Sequence, residues 1–275
     1  MKKKGFVQKL VAAPYLVWTA VFVVVPLLMV AYFAFTDFDG KVSLENIMGV
    51  SQYMNIFLRS VWMAAVATVI CFIIGYPLAF IISRINTNFE STMLMLVMLP
   101  MWINFLLRTY AWMTLLGNEG VINSILSALG FGHLKLLNTQ GAVILGMVYD
   151  YLPYMVLPLY TVMEKIDSSL LEAAQDLGCN RFLTILRVVV PLSVPGILSG
   201  ITMVFVPAIS TFIISRMLGG GGNLLIGDLI EMQFLGNAYN PNLGAAISLI
   251  LMIIVIIIMA VMNQLDSSDD ERVLL

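Results

Sequence analysis

Long apolar runs alternate with short polar connections along this chain, and the runs set its class. Six stretches, at about 11–36, 61–83, 93–116, 141–163, 188–214 and 244–262, are long enough to cross a bilayer as helices. A helix needs about 20 mostly apolar residues to span ~30 Å of hydrocarbon. Residues 250–259 read ILMIIVIIIM without a polar break, whereas a barrel strand alternates apolar and polar positions. The expected fold class is therefore all-α: a polytopic membrane protein with six transmembrane helices, forming one transmembrane domain over 1–275. The first run follows Lys2, Lys3, Lys4 and Lys9. It is much longer than the ~7–15 apolar residues of a cleavable signal peptide and is read as an uncleaved span.

Composition agrees with the pattern. Sixty per cent of the 275 residues are hydrophobic, 11% are charged, and mean hydropathy is +0.97. A soluble domain carries roughly 25% charged residues, so the chain cannot cover a water-facing surface. A net charge of −2 leaves no general basic field, which excludes nucleic acid as a partner and points to the lipid bilayer. Two cysteines are too few for a disulfide framework.

Charge does set orientation. With both termini inside, the cytoplasmic segments hold Lys2, Lys3, Lys4, Lys9, Arg84, Lys165, Arg181, Arg187 and Arg272. The external segments hold Lys41, Arg59, Lys135 and Arg216, with Arg108 inside the third span. That excess follows the positive-inside rule, and the acidic tail at 266–271 contributes little against it. No connecting segment is long enough for a catalytic domain, which takes at least ~50 residues.

Catalytic and metal-binding patterns are missing. There is no phosphate-cradling G-x-x-x-x-G-K-[ST], and Gly219 to Gly222 read as an external turn. The single histidine, His133, has no second ligand in an H-E-x-x-H pattern. No G-x-S-x-G elbow occurs, and Asp150 is the only span acid, so an intramembrane aspartyl pair is lacking. The expectation is a protein that is not an enzyme, with no cofactor, metal or catalytic residue.

The most informative segment is the cytoplasmic loop at 164–187. Ser169 and Glu172 have capping-box spacing, and Leu170, Leu171, Ala174 and Leu177 recur at helical intervals. Gly178 supplies the left-handed geometry that ends such a helix, and a second helical stretch runs from Arg181 toward Pro191. An amphipathic helix, a glycine elbow and another helix result. Two readings stay open on the residues alone: a helix resting on lipid headgroups, or one docking in the groove of a cytoplasmic partner.

Glu172, Ala173, Ala174 and Gly178, followed by Val190, Pro191 and Leu192, resemble the E-A-A-x-x-x-G-x9-I-x-L-P loop of ABC importer permeases. Val188 stands where the pattern has isoleucine, and Val190 where it has leucine before the proline. Further segments extend the likeness: Gly75 to Ala79, Leu99 to Trp102, Glu164 to Asp167, Leu157 to Tyr160, Asn223 to Asp228 and Gln233 to Leu235. Most specifically, Leu157 to Tyr160, and the external Asn223 to Asp228 with Gln233 to Leu235, look like the spermidine/putrescine permeases of the PotB type. The resemblance implies a MetI-like type I importer fold in a bacterial inner membrane, forming half of a pathway. It also implies a second homologous permease (PotC type), two copies of an ABC ATPase (PotA type) and an external polyamine-binding protein (PotD type). Glu172, Ala173, Ala174 and Gly178 would then contact the ATPase, which supplies ATP hydrolysis. Other cargo, such as iron, thiamine or phosphonates, belongs to related permeases. A secondary transporter is the remaining alternative, although no internal repeat is visible.

Within the spans, Pro153, Pro158, Pro191, Pro195 and Pro207 mark expected interruptions. Gly196 and Gly200 form G-x-x-x-G, suited to close helix approach or to a hinge. Asp150 lies between Tyr149 and Tyr151, and a mid-membrane carboxylate costs at least ~2.5 kcal/mol. It either lines the pathway and attracts an amine, with tyrosine rings adding cation–π attraction, or pairs with Arg108 or hydrogen-bonds to a neighbouring helix. Asn104 and Arg108, four apart, are expected on one face of span three. Externally, Glu119, Asp228 and Glu231 are candidates for receiving a cation or docking the binding protein, or are solvated loop charges.

Overall fold

A computed structural model describes residues 14–85, 87–236 and 238–273, with side chains over 14–85, 89–236 and 238–264. Lys2, Lys3, Lys4, Lys9 and the start of the first run at 11–13 lie outside the described residues, as do the side chains of Arg272 and the tail 266–271.

Thirteen helices and one 3-10 turn, Val50–Tyr53, are described. The helices are α1 (Pro14–Ala34), α2 (Glu45–Gly49), α3 (Met54–Ile82), α4 (Thr87–Trp102), α5 (Phe105–Leu116), α6 (Val121–Ala128), α7 (Gln140–Met163) and α8 (Ser168–Asp176). α9 (Arg181–Leu192), α10 (Val194–Ser210), α11 (Ile213–Gly219), α12 (Ile226–Leu235) and α13 (Pro241–Val273) follow. Four stretches are long and apolar enough to cross a bilayer alone: Pro14–Ala34, Glu45–Ile82, Gln140–Met163 and Pro241–Gln264. Two further spans exist only as bent pairs, so six are present when each pair counts once.

The bends correct two of the expected spans. The third is not one straight rod over 93–116, because its two arms meet at 88°. Pro100 cannot donate to the ladder, and Asn104 turns extended (ψ 129°), its side-chain oxygen accepting from Leu106 N at 2.9 Å and Leu107 N at 3.4 Å. A new helix therefore starts at Phe105. The fifth span bends by 72° at Ser193, between Pro191 and Pro195. It begins earlier than expected, at Arg181, and ends at Ser210, where Thr211 becomes extended. α11 is a separate helix. α3 also starts before its apolar stretch does, at Met54, and α13 continues past 262 to Val273. Of the expected spans, the fourth is reproduced most closely, as α7.

Contacts divide the chain into two units, Met1–Met54 with Leu229–Ile254 and Asn55–Asp228 with Val255–Leu275. In the larger unit α7 packs on α10 through the two span-five glycines. A Cβ at Gly196 would lie 2.9 Å from Pro158 O, and one at Gly200 would lie 2.7 Å from Met155 Sδ. At Gly196 the obstacle is a fixed backbone oxygen and at Gly200 a flexible thioether, so the close approach depends most on Gly196. The buried cluster beside them joins Cys71, Ala79 and Ile82 of α3 to Met155, Leu159 and Met163 of α7 and Val189 of α9. The four-glycine segment is a tied turn. Gly220 has φ +61°, Asn223 Nδ2 donates to Gly219 O at 2.8 Å, and Arg59 Nη1 donates to Gly222 O at 2.9 Å. In the smaller unit, the carbonyl of Thr36 beyond α1 accepts from Asn46 Nδ2 at 2.8 Å and Asn242 Nδ2 at 2.6 Å. A backbone group beyond a helix end is thereby satisfied without water.

Candidate functional site

The element at 164–187 is built as a short amphipathic helix closed at both ends. Asp167, not Ser169, is its N-cap: the carboxylate accepts from Ser169 N at 2.9 Å, and the helix starts at Ser168. The expected Ser169–Glu172 capping box is therefore corrected by two residues, because the carboxylate reaches the free amide first. That amide holds the Asp167 carboxyl below the usual carboxylate range. At the far end Gly178 has φ +89°, Gly178 N donates to Gln175 O at 2.9 Å, and Cys179 N donates to Ala174 O at 3.0 Å. This is a Schellman closure, and it needs the left-handed residue. Asn180 then caps α9 by accepting from Leu183 N at 2.8 Å.

Burial splits the apolar positions of α8 between two sides. Ala174 is buried, and Leu171 packs on the core cluster of the larger unit. Glu172 and Ala173 are exposed, as are Leu170 and Leu177, the last at 87%. Exposed Phe182 of α9 follows the elbow. The helix thus rests on its own chain by one side and presents leucines outward by the other.

In the membrane, Asp150 is 4% exposed and Arg108 9%. Arg108 Nε stands 2.6 Å from Asp150 Oδ1 in a close ion pair. Arg108 Nη1 also donates to the carbonyl of Pro100 at the end of α4. Its guanidinium lies 5.8 Å from the ring centres of both Phe105 and Tyr149, and Tyr149 meets Trp112 edge-on at 5.3 Å. Tyr151 Oη donates to Pro207 O at 3.4 Å, covering a carbonyl of α10. The structure therefore brings together Arg108, Asp150 and Tyr149 and sets Tyr151 against α10. Asn104 does not join them: it is exposed and its side chain is spent on capping α5, so the shared face expected for Asn104 and Arg108 is lost to the bend.

Two other places differ from expectation. Asp228 is no solvated loop charge. It is 2% exposed, and its Oδ2 accepts from Ser215 Oγ at 2.6 Å and Leu225 N at 2.8 Å. Glu119 remains exposed. Among the described residues no three His, Cys, Asp or Glu side chains converge as metal ligands. Sequence reasoning also passed over a constellation around the turn between α3 and α4. Arg84 Nη1 donates to Ile166 O at 3.0 Å, Arg84 Nη2 to Met163 O at 3.4 Å, and Tyr160 Oη to Glu90 Oε1 at 2.7 Å. The available signal was a lone arginine in a very short connection, which the orientation count absorbed.

Residues 72–268 match the family described as binding-protein-dependent transport system inner membrane component. The chain is 40% identical over 256 residues to the spermidine/putrescine transport system permease protein PotB of Haemophilus influenzae, covering 90% of this chain and 89% of that one. It is 37% identical to PotB of Escherichia coli, covering 86% and 89%. It is 31% identical to the E. coli inner membrane ABC transporter permease protein YdcU, covering 88% and 83%. Among solved structures, a bacterial ABC transporter that imports alginate aligns with TM-score 0.79 at 18% identity, over 97% of this chain and 96% of that one. The MetNI methionine ABC transporter aligns at 0.59 and 17% identity, over 78% and 95%. The fold is thus that of ABC importer permeases, in a multi-pass membrane protein. The chain belongs to the binding-protein-dependent transport system inner membrane component family.

Proposed function

We propose that this chain is a permease subunit of an ATP-driven importer for polyamines, with spermidine and putrescine as cargo. The observation that carries this reading is 36–40% identity, across most of both chains, to proteins named as spermidine/putrescine permeases. The chain itself is a transport subunit, and hydrolysis of ATP belongs to a separate ATPase. Its proposed partners are a second homologous permease of the PotC type, two ATPase copies of the PotA type and an external binding protein of the PotD type. A solved relative of the same fold is described in complex with a periplasmic protein. Both termini are placed in the cytoplasm on the excess of lysine and arginine in the segments assigned inside.

In this reading α8 docks on the ATPase through Glu172, Ala173 and the exposed leucines. Ala174 faces the chain's own core, and Gly178 fixes the angle at which α9 leaves. Asp150, with Tyr149 and Tyr151, is the proposed pathway acid. In the present arrangement the Arg108 guanidinium neutralises it, and an incoming amine would exchange for that cation as the α5–α7 seam opens. Asn104 would contribute by holding the bend.

Uptake of labelled spermidine and putrescine by proteoliposomes holding the whole complex tests the proposal. Uptake that needs ATP and the binding protein, and is competed by either polyamine, supports it. Uptake of an unrelated solute instead would refute the cargo, and uptake by this chain without an ATPase would make it a secondary carrier.

A further inference from the structure

The loop at 164–187 is covalently continuous with spans four and five, yet an importer must also move spans two and three. Two side-chain ties bridge that gap at the inner end of the larger unit. The first is Arg84, in the short turn between α3 and α4. Its two terminal nitrogens reach Ile166 O and Met163 O at 3.0 and 3.4 Å, and its guanidinium sits 5.8 Å from the Phe80 ring centre. Ile166 immediately precedes Asp167, the cap of α8, so Arg84 grips the chain one residue before that cap. The second tie is the hydrogen bond from buried Tyr160 of α7 to Glu90 in the first turn of α4, at 2.7 Å.

The chemistry suits a stiff link. A guanidinium presents its donors in a rigid planar fork, here set on two carbonyls three residues apart. It also lies at the C-terminal, negative pole of α7, where a cation is favoured. Beneath it, Ile82, Tyr160, Met163 and Ile166 belong to one buried cluster, with Leu171 of α8 packed against it. A displaced α8 therefore draws Ile166 and Arg84 with it. α4 is the arm whose last turn offers the Pro100 carbonyl to Arg108.

We propose that Arg84 and the Tyr160–Glu90 pair are positioning residues that carry movement of α8 sideways into spans two and three. They link ATP hydrolysis to substrate passage without touching either ligand. This rests on the importer reading above.

The test uses the full complex in proteoliposomes, with Arg84→Ala, Arg84→Lys and Tyr160→Phe. Two quantities are measured: the ATPase retained per permease on purification, and polyamine taken up per ATP hydrolysed. The expected result is unchanged ATPase retention with uptake per ATP lowered at least about fivefold in Arg84→Ala and Tyr160→Phe. Arg84→Lys, which keeps the charge but not the fork, recovers part of it. A ratio within about twofold of wild type in the variants overturns the proposal. Loss of the ATPase also overturns it, since the ties would then serve docking. If Arg84→Ala does not accumulate in the membrane, Tyr160→Phe decides by the same criteria. A wild-type complex that holds no ATPase refutes the importer reading itself, and this inference with it.

Discussion

Replacing Asp150 probes the buried pair from one side. Arg108 Nε and Asp150 Oδ1 are 2.6 Å apart, with both side chains nearly inaccessible. Charge centres about 4 Å apart attract by ~4 kcal/mol at an effective dielectric near 20. Removing one member of a buried pair costs about 3–5 kcal/mol, because the survivor stays desolvated without its counter-charge. Asp150→Leu is expected at the upper end of that range. Asp150→Asn, which keeps an oxygen acceptor, is expected at the lower end. The double variant Arg108→Met with Asp150→Leu removes both desolvated charges and should be more stable than Asp150→Leu alone, since the Pro100 carbonyl still accepts from Ile103 N at 3.3 Å. Thermal and chemical denaturation of the purified chain in detergent, run as a double-mutant cycle, reads these values. Asp150→Leu within ~0.5 kcal/mol of wild type, or a double variant equal to the sum of its singles, would refute the reasoning.

Three further outcomes are expected. Gly178→Ala meets no steric neighbour but must hold φ near +89°; a strain of about 1–2 kcal/mol should loosen the elbow and lower ATPase retention on purification, while expression is unchanged. Asp167→Ala should speed amide exchange at the start of α8, whereas Ser169→Ala should not. Because the Asp167 carboxyl is held below its ordinary value, its contribution is present above the unfolded carboxylate pKa of about 4. It is lost only as pH falls through the lower folded value, so exchange protection there should be flat from neutral pH down to about 5. Gly196→Ala, whose methyl would meet the backbone oxygen of Pro158, should destabilise by about 1–3 kcal/mol. Gly200→Ala, which meets the flexible thioether of Met155, should cost less; thermal unfolding in detergent separates the two.

Apolar run length was enough to give an all-helical chain with several helices suited to a bilayer, because backbone desolvation forces helices there. It could not find the bends, since a window of hydrophobicity reads the same through Ile103 whether or not Asn104 folds back to cap a new helix. The left-handed role of Gly178 was legible, as few residues adopt that conformation. The cap was misplaced by two residues because Ser169 and Asp167 carry equally good acceptors, and only geometry chooses between them. Asp150 demanded a partner on energetic grounds, and Arg108 was named as one. The Arg84 contacts were invisible, since their acceptors are backbone carbonyls that any sequence supplies.

The knee after Trp102 also bears on how the nascent chain is built. α5 places a guanidinium in hydrocarbon, an insertion penalty of about 2.5–3.5 kcal/mol for a lone arginine at mid-span. Its counter-charge, Asp150, is synthesised more than forty residues later. A polypeptide stalled short of that aspartate offers the translocon an unneutralised arm, so release of the third span into lipid waits for the fourth. The pair that steadies the finished subunit thereby sets an order of assembly, with two neighbouring segments leaving the insertion machinery together.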